Sequence, residues 1–555
     1  MKRLMFILAL AMVVVFTQCK KQELNESDEQ SEGVQMVLMA DNGYSKTTIG
    51  TNGTISWNQY EIIYVVANGK CVGHVTNLSG DNTFQGTLDG ITSSGIYDFH
   101  FYYIGNKGNV YGNNNTLLIS NGAIRYTMDF SNQDGTLANL GDFHVGYGSQ
   151  TGVVVTPGNT VTTHATMRSL VSMAYFDIAS MSEPGELVCF CGDNINNKLT
   201  LDFSTNIPIY GKVNPGKNNY ICAGTVAEGT TSPCYVMLLP NHIDGSEELP
   251  TDFTFVSQRT IGTCNGVFNY GIVGGRFYCN GGNTDEPITV SASYQKGILR
   301  GEFSVSATKK VRFSQGNLQY VGSATTPYWK FADNQYDRIT EGQNNNNSTR
   351  DRDLFGWGTS GYNHGAICYE PWSTSTTNTE YYAYGNKAYN LYDQTGQADW
   401  GYNAISNGGN TENFGWYTLS QPEWNYLFNT RNTTSGIRWA NATINGIAGL
   451  ILLPDDWDES YYSLNEPNTI GGYGNTLNTS TWINNLQVHG AVFLPRNGYR
   501  RGTTVYGTTN GYYWSSSLIN AQSAYSVGFS DNSFGAATTH GRCDGLSVRL
   551  AYPIE

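Results

Sequence analysis

The chain of 555 residues reads as a mainly β protein of several domains, the last of which mixes strands with short helices. Three observations predict this. Charged residues make up only 14% of the chain while Gly (64) and Tyr (38) are abundant, a composition suited to half-buried strands and frequent turns. Apolar and polar residues alternate over strand lengths at intervals through the first 300 residues. Ten of the 11 tryptophans lie from Trp329 to Trp514, whereas eight of the 10 cysteines precede residue 300. Regions with such different core chemistry are different domains, and the junction falls near residues 295–301.

Residues 1–18 read as a targeting segment. Lys2 and Arg3 precede an apolar run, Leu4 to Phe16, too short to span a bilayer stably. The run ends at Thr17-Gln18-Cys19 and resembles a bacterial lipoprotein signal, which implies Cys19 as the lipidated N-terminus of an outer-membrane, cell-surface protein. Gln18 replaces the small residue usual at that position. Residues 19–33 carry many acidic side chains and read as a disordered tether.

The next strands are legible one by one. "EIIYVVANG" (61–69) is a strand followed by a turn, and "GIYDFHFYYIG" (95–105) alternates over a full strand. "SLVSMAYFDIA" (169–179), "KLTLDFST" (198–205), "PCYVMLLP" (233–240) and "DFTFVSQ" (252–258) repeat the pattern between Asn- and Gly-rich turns. They predict two β-sandwiches, 34–156 and 157–296, split at Thr156-Pro157-Gly158-Asn159. Cys189 and Cys191 alternate on one strand, and spacing alone does not assign any cysteine pairing.

Lys46-Thr47-Thr48, Trp57 and Glu61-Ile62-Ile63, followed by "SLVSMAYFDIA" and "GIVGGRFYCNG" (271–281), resemble in their order the fimbrillins, pilus subunits of Bacteroidetes. Tyr60-Glu61 stands where that family usually has Gly-Asp. The resemblance covers roughly residues 34–290. It implies two transthyretin-like β-sandwiches and assembly by strand exchange with pilus stalk subunits. The resemblance further implies that a protease removes the first strand and that a neighbour's C-terminal strand fills the groove. The polar loop from Asn42 to Ser56 carries one basic residue, Lys46, which is the expected processing site.

Residues 301–555 begin with a hairpin around Ala307-Thr308-Lys309-Lys310. "LSQPEWNYLFNTR" (419–431) predicts a short helix with a Ser420/Glu423 capping box and Trp424, Leu427 and Phe428 on one face. "NTSTWINNLQVHG" (478–490) predicts a second, capped by Ser480 and ended by Gly490. "GAVFLP" (490–495), "YYWSSS" (512–517), "AYSVGFS" (524–530) and "LSVRLAYP" (546–553) are closing strands. With Val311–Leu318, Asp353–Gly358, Glu423-Trp424 and Leu452–Trp457, these segments resemble the sulfatase-modifying-factor branch of the C-type-lectin-like fold. The expected architecture is therefore mainly β: two transthyretin-like β-sandwiches followed by an α+β C-type-lectin-like domain.

Enzymatic activity is not expected. The formylglycine-generating enzymes of that branch need paired thiolates for copper, whereas this region holds only Cys368 and Cys543, far apart in sequence. No G-x-S-x-G or H-E-x-x-H occurs. Glu466-Pro467-Asn468 matches a calcium-binding tripeptide of animal lectins, but the later Trp482-Ile483-Asn484-Asn485 supplies no carboxylate, and the tripeptide reads as a turn. No metal and no cofactor are expected. The net charge of −14 argues against nucleic acid as a partner.

The resemblances together imply a lipid-anchored fimbrial tip subunit or adhesin, whose C-terminal domain binds a glycan or protein. The alternative is an unpolymerised surface binding protein, and a formylglycine-generating-type enzyme comes third. A domain of about 250 residues occupies the end from which a stalk subunit would donate its strand. Polar turns around "AYSVGFS" nominate Asn520, Gln522, Asp531, Asn532, Phe534, His540, Arg542 and Asp544 as one ligand face. On that reading, replacing Asp531, Phe534 and Arg542 together would leave stability nearly unchanged.

Overall fold

The computed structural model describes residues 33–43, 48–49, 55–105, 116–120, 123–192, 194–212, 220–241, 251, 253–264, 268, 271–280, 285–469 and 474–554. Cys19, the signal segment and Lys46 lie outside the described residues. The described chain is mainly β, in three units joined by shared cores.

The first unit is a closed barrel of seven strands. In spatial order these are Val34–Gly43, Thr160–Ser169, Gly146–Val155, Gly95–Tyr103, Ile62–Ala67, Lys70–Asn77 and Thr83–Leu88. Val34–Gly43 closes it, running parallel to Thr160–Ser169 (Gln35 beside Thr160) and antiparallel to Thr83–Leu88 (Val34 beside Leu88). Alternation does the rest. Val34, Met36, Leu38 and Ala40 point inward onto Phe84, Phe99, Phe101 and Val161. Closure leaves no open edge in this sheet, where two separate sheets were expected.

The expected boundary at 156–159 needs correcting. Thr156–Asn159 is the turn of a hairpin inside the barrel, because Gly146 pairs with Ser169 and Tyr147 with Arg168. The second unit instead begins near Val171. Its two sheets, Pro233–Leu238/Ser172–Asp177/Phe277–Tyr278 and Tyr220–Thr225/Leu187–Cys191/Thr254–Ser257/Ile261–Thr263, enclose Phe176, Phe190, Val236 and Phe255. A further sheet crosses the boundary: Ala123–Asp129 pairs with Lys198–Asp202. Tyr126, Met128, Leu199 and Leu201 share one core there.

Tyr60 and Glu61, which stand where the resembled family usually has Gly-Asp, are respectively a strained and a buried position. Tyr60 adopts φ +71°, a left-handed conformation that glycine takes without strain. Glu61 is buried, and desolvation pushes its carboxyl up to about 7, against hydrogen bonds from Asn58 that lower it. Folded Glu61 therefore keeps its proton over the window from its ordinary value of 4.5 to about 7, where the unfolded chain has lost it. Folding stability is expected to fall as pH rises through that window. Urea melts of the Glu61→Gln variant should show this slope flattened.

The third unit begins near Ile298. The second strand of its first hairpin, Lys310–Phe313, pairs with Leu550–Ile554, which pairs on its other side with Tyr417–Thr418. Thr476–Leu477, Trp439–Ile444, Ile447–Leu452 and Val492–Pro495 form a second sheet. Trp357, Trp400, Trp424, Trp457, Trp482 and Trp514 are all fully buried. The helix at Gln421–Asn425 runs on as a π-turn over Tyr426–Thr430 and carries the capping box, with Glu423 accepting from the Ser420 N–H at 2.8 Å. The second helical segment starts at Thr479 and ends at Gly490 with φ +90°. Its cap is Asn478, whose side chain accepts from the Thr481 N–H, and not Ser480.

Second and third units meet along a buried seam. Val488 packs on Cys189, Cys222 and Val256. Arg259 grips Glu186 at 2.8 Å and donates to Gln315 at 2.7 Å. His489 stacks on Tyr461 at 3.8 Å with Tyr220 edge-on at 5.3 Å, and burial holds its pKa well below the usual histidine value.

Candidate ligand-binding face

Gly511–Leu518, Ser523–Phe529 and Phe534–Gly541 form an antiparallel sheet at the heart of the third unit. Alternation along the middle strand predicts one inward face of Tyr525, Val527 and Phe529. The strand is covered on both faces instead: Val527 and Phe529 enter one core and Ala524 another. Ser523 pairs with Gly541 at one end and Phe529 with Phe534 at the other. The two connecting turns therefore lie about 20 Å apart, a seven-residue strand length.

This divides the eight nominated residues. Asn520 and Gln522 occupy one turn, where Asn520 Oδ1 accepts from the N–H groups of Gln522 (2.8 Å) and Ser523 (3.0 Å). Asp531 and Asn532 occupy the other, with Asp531 paired to the buried Arg496 at 2.7 Å. Asn520, Gln522 and Asn532 are exposed.

The remaining four are packed or paired inside the domain, which corrects the expected face. Arg542 is 0% exposed. Its Nη2 donates to the carbonyls of Asn520 (2.5 Å) and Lys387 (2.9 Å), its Nη1 to that of Tyr381 (3.3 Å), and the guanidinium lies 4.6 Å from the Trp357 ring. Asp544 is buried and accepts from Arg501 Nε at 2.7 Å and Nη2 at 3.1 Å. His540 packs on Tyr512 at 4.4 Å and Tyr499 at 5.5 Å, and desolvation lowers its pKa. Phe534 stacks on Trp439 at 4.6 Å and meets Phe428 edge-on at 4.9 Å.

Replacing Asp531, Phe534 and Arg542 together is therefore a test of folding as well as of binding. Phe534→Ala is expected to cost about 2 kcal/mol through lost aromatic packing. Asn532→Ala should stay within about 0.5 kcal/mol of the parent. Thermal denaturation of the two single variants checks the contrast.

Arg496 also donates to the Thr509 carbonyl at 2.9 Å, tying the Asp531 turn to a concave surface. The next residue, Asn497, and the nearby Thr508 line a cleft of about 560 Å³, with Tyr336, Asp337, Arg338 and Asn445. Behind it the buried Asp353 accepts from the Ile339 N–H and Asn344 Nδ2, both at 2.7 Å, and desolvation pushes its carboxyl up to about 6. The cleft has the size of a small-molecule site, and its phenol, amides, carboxylate and guanidinium suit a hydroxyl-rich or peptide ligand. Sequence reasoning missed it. The one local signal is the polar run "ADNQYDRITEGQNN" (332–345). A second cleft, about 630 Å³, opens over the seam between Glu186, Gln258, Asp333, Asn484 and Gln487.

Glu466-Pro467-Asn468 forms a turn in which Glu466 and Asn468 both have positive φ. Asn468 Oδ1 accepts from the Arg438 N–H at 2.8 Å, so this residue anchors the loop to the strand beginning at Trp439. Among the described residues, no group of three or more His, Cys, Asp or Glu side chains is arranged to hold a metal. Cys368 and Cys543, far apart in sequence, do come together in one small buried cluster with Tyr381. Their separation along the chain is therefore no measure of their separation in space. Burial raises the pKa of both thiols.

No family model matches the chain, and no curated protein does. Parts of it are similar to solved structures of fimbrial and cell-adhesion proteins. The fimbrial anchor protein Mfa2 of Porphyromonas gingivalis is 15% identical, with a TM-score of 0.23 over 40% of this chain and 77% of that one. The C-terminally truncated tip fimbrial protein Mfa3 of the same organism is 12% identical, with a TM-score of 0.22 over 40% and 78%. A candidate cell adhesion protein from Bacteroides uniformis is 13% identical, with a TM-score of 0.28 over 44% and 90%. Each similarity spans less than half of this chain. Among the described residues, no helix is long and apolar enough to cross a membrane.

Proposed function

We propose that the protein is a lipid-anchored surface adhesin of the fimbrial type. Its two N-terminal units form an assembly base, and its lectin-like third unit carries the recognition surface. The observation that carries this reading is the contrast between two strands. Val34–Gly43 closes the barrel as a segment that one cut in the following loop would free, leaving an open groove between Thr83–Leu88 and Thr160–Ser169. Leu550–Ile554 pairs with Lys310–Phe313 along Ala551–Ile554 and with Tyr417–Thr418 at Leu550 and Ala551, so it is held within its own sheet. A subunit that accepts a strand and withholds its own caps a polymer. The ligand, a glycan or a protein, docks on the exposed turns of Asn520, Gln522 and Asn532 and on the cleft beside Asp531.

N-terminal sequencing of protein taken from the cell surface, with analysis of the subunits that co-purify, tests the assembly. A mature start shortly after Lys46, with stalk subunits bound, supports the capping role. A start at residue 19 or 20 without stalk subunits overturns it and leaves an unpolymerised surface binding protein.

A further inference from the structure

Two cysteines face each other in the second unit. Leu187–Cys191 pairs antiparallel with Tyr220–Thr225, and Cys189 lies directly opposite Cys222. Their Sγ atoms are 3.1 Å apart, about 1 Å beyond the bonded distance of ~2.05 Å. Directly opposed residues of an antiparallel pair have the Cα and Cβ spacings that a disulfide spans, so a small rotation about each Cα–Cβ bond brings the sulfurs together. Both residues are buried, under Val256 and, across the seam, Val488. Other nearby thiols are engaged elsewhere: Cys191 points to the Thr254 carbonyl at 3.8 Å, and Cys234 donates to that of Ala223.

We propose that Cys189 and Cys222 form a disulfide in the mature protein. The oxidant is an external disulfide, carried by a protein or a small thiol compound. One chain thiolate attacks it, releasing a thiol and leaving a mixed disulfide. The second thiolate then attacks the chain sulfur and releases the other thiol. Two chain thiols lose two electrons and two protons in all, and one external disulfide becomes two thiols.

The exchange takes place before the seam closes. Once folded, Cys189 is fully desolvated and its thiol is held in the unreactive protonated form. The same burial shields the finished bond from reductants. The bond would close the chain from residue 189 to 222 and brace the sheet on which Val488 rests, so it would stiffen the seam as well as the second unit.

The test uses the full chain, refolded with oxidised glutathione and then unfolded in denaturant with N-ethylmaleimide and no reductant. Because the oxidant is supplied, a failure of pairing is distinct from a failure of the surface reading. Peptide mass spectrometry should find Cys189 and Cys222 in one linked peptide pair, about 2 Da lighter than the two free peptides together, and not alkylated. In the Cys222→Ser variant, Cys189 should become alkylated. The melting temperature of the oxidised parent should exceed that of the Cys189→Ala/Cys222→Ala chain by roughly 5–10 °C. Alkylation of both residues in the parent, or linkage of either to another cysteine, overturns the assignment even if the variants do not fold.

Discussion

Truncating Arg431 to alanine is expected to destabilise the third unit by about 3–5 kcal/mol, the cost of breaking a buried charged network from one side. The Arg431 side chain is 0% exposed and its Nη1 contacts Asp455 at 2.8 Å. Its Nε donates to the Leu427 carbonyl, within the π-turn, at 2.8 Å, and its Nη2 donates to those of Arg438 and Leu453. Removing the guanidinium leaves three carbonyls and a half-buried carboxylate without these partners. Burying a polar group without a hydrogen bond costs more than making one gains. Arg431→Lys retains a charge but not the planar fork, and it should recover only part of the loss. Urea denaturation followed by tryptophan fluorescence suits the measurement, because ten of the 11 tryptophans lie in this unit. A change below 1 kcal/mol for Arg431→Ala would show that the network is dispensable.

Deleting residues 34–43 is expected to unfold the first unit. Val34, Met36 and Leu38 are fully buried, and each contributes about 1.5–3 kcal/mol, roughly 5–9 kcal/mol for the three. That is comparable to the whole stability of a typical domain, about 5–15 kcal/mol. The hydrogen bonds to both neighbouring strands are lost as well. A synthetic peptide of sequence VQMVLMADNG, added in trans, should restore the fold, because the vacated groove still presents Phe84, Leu88, Val161 and Met167. Circular dichroism and protease resistance would follow the rescue. A deletion variant that stays folded without peptide would show that the strand is not integral to the barrel, and the proposed strand exchange would lose its basis.

Most strands were legible because alternation is a local signal. "EIIYVVANG" appears as Ile62–Ala67, "GIYDFHFYYIG" as Gly95–Tyr103 and "PCYVMLLP" as Pro233–Leu238. The capping box at Ser420 and Glu423 was legible for the same reason, since both partners lie within one helical turn. Residues 156–159 were read as a domain boundary, whereas they turn a hairpin inside the barrel. Pro-Gly-Asn chemistry fixes a chain reversal, but it carries no information on whether the next strand returns to the same sheet.

The nominated ligand face shows the same division most clearly. The sequence by itself determined that residues 520–522 and 531–533 are polar turns flanking a strand, because turn chemistry and alternation act over a few residues. Only the tertiary structure decided which polar side chains meet solvent. Arg542 looks like a loop residue in "HGRCDG", yet Tyr381, Lys387 and Trp357 close over it from more than 150 residues away. Cys189 and Cys222 become neighbours, as do Cys368 and Cys543, only when distant strands find their register. Burial and proximity are properties of the whole packed chain, and hydrogen bonds to remote carbonyls can satisfy a charged group that its local sequence would leave exposed.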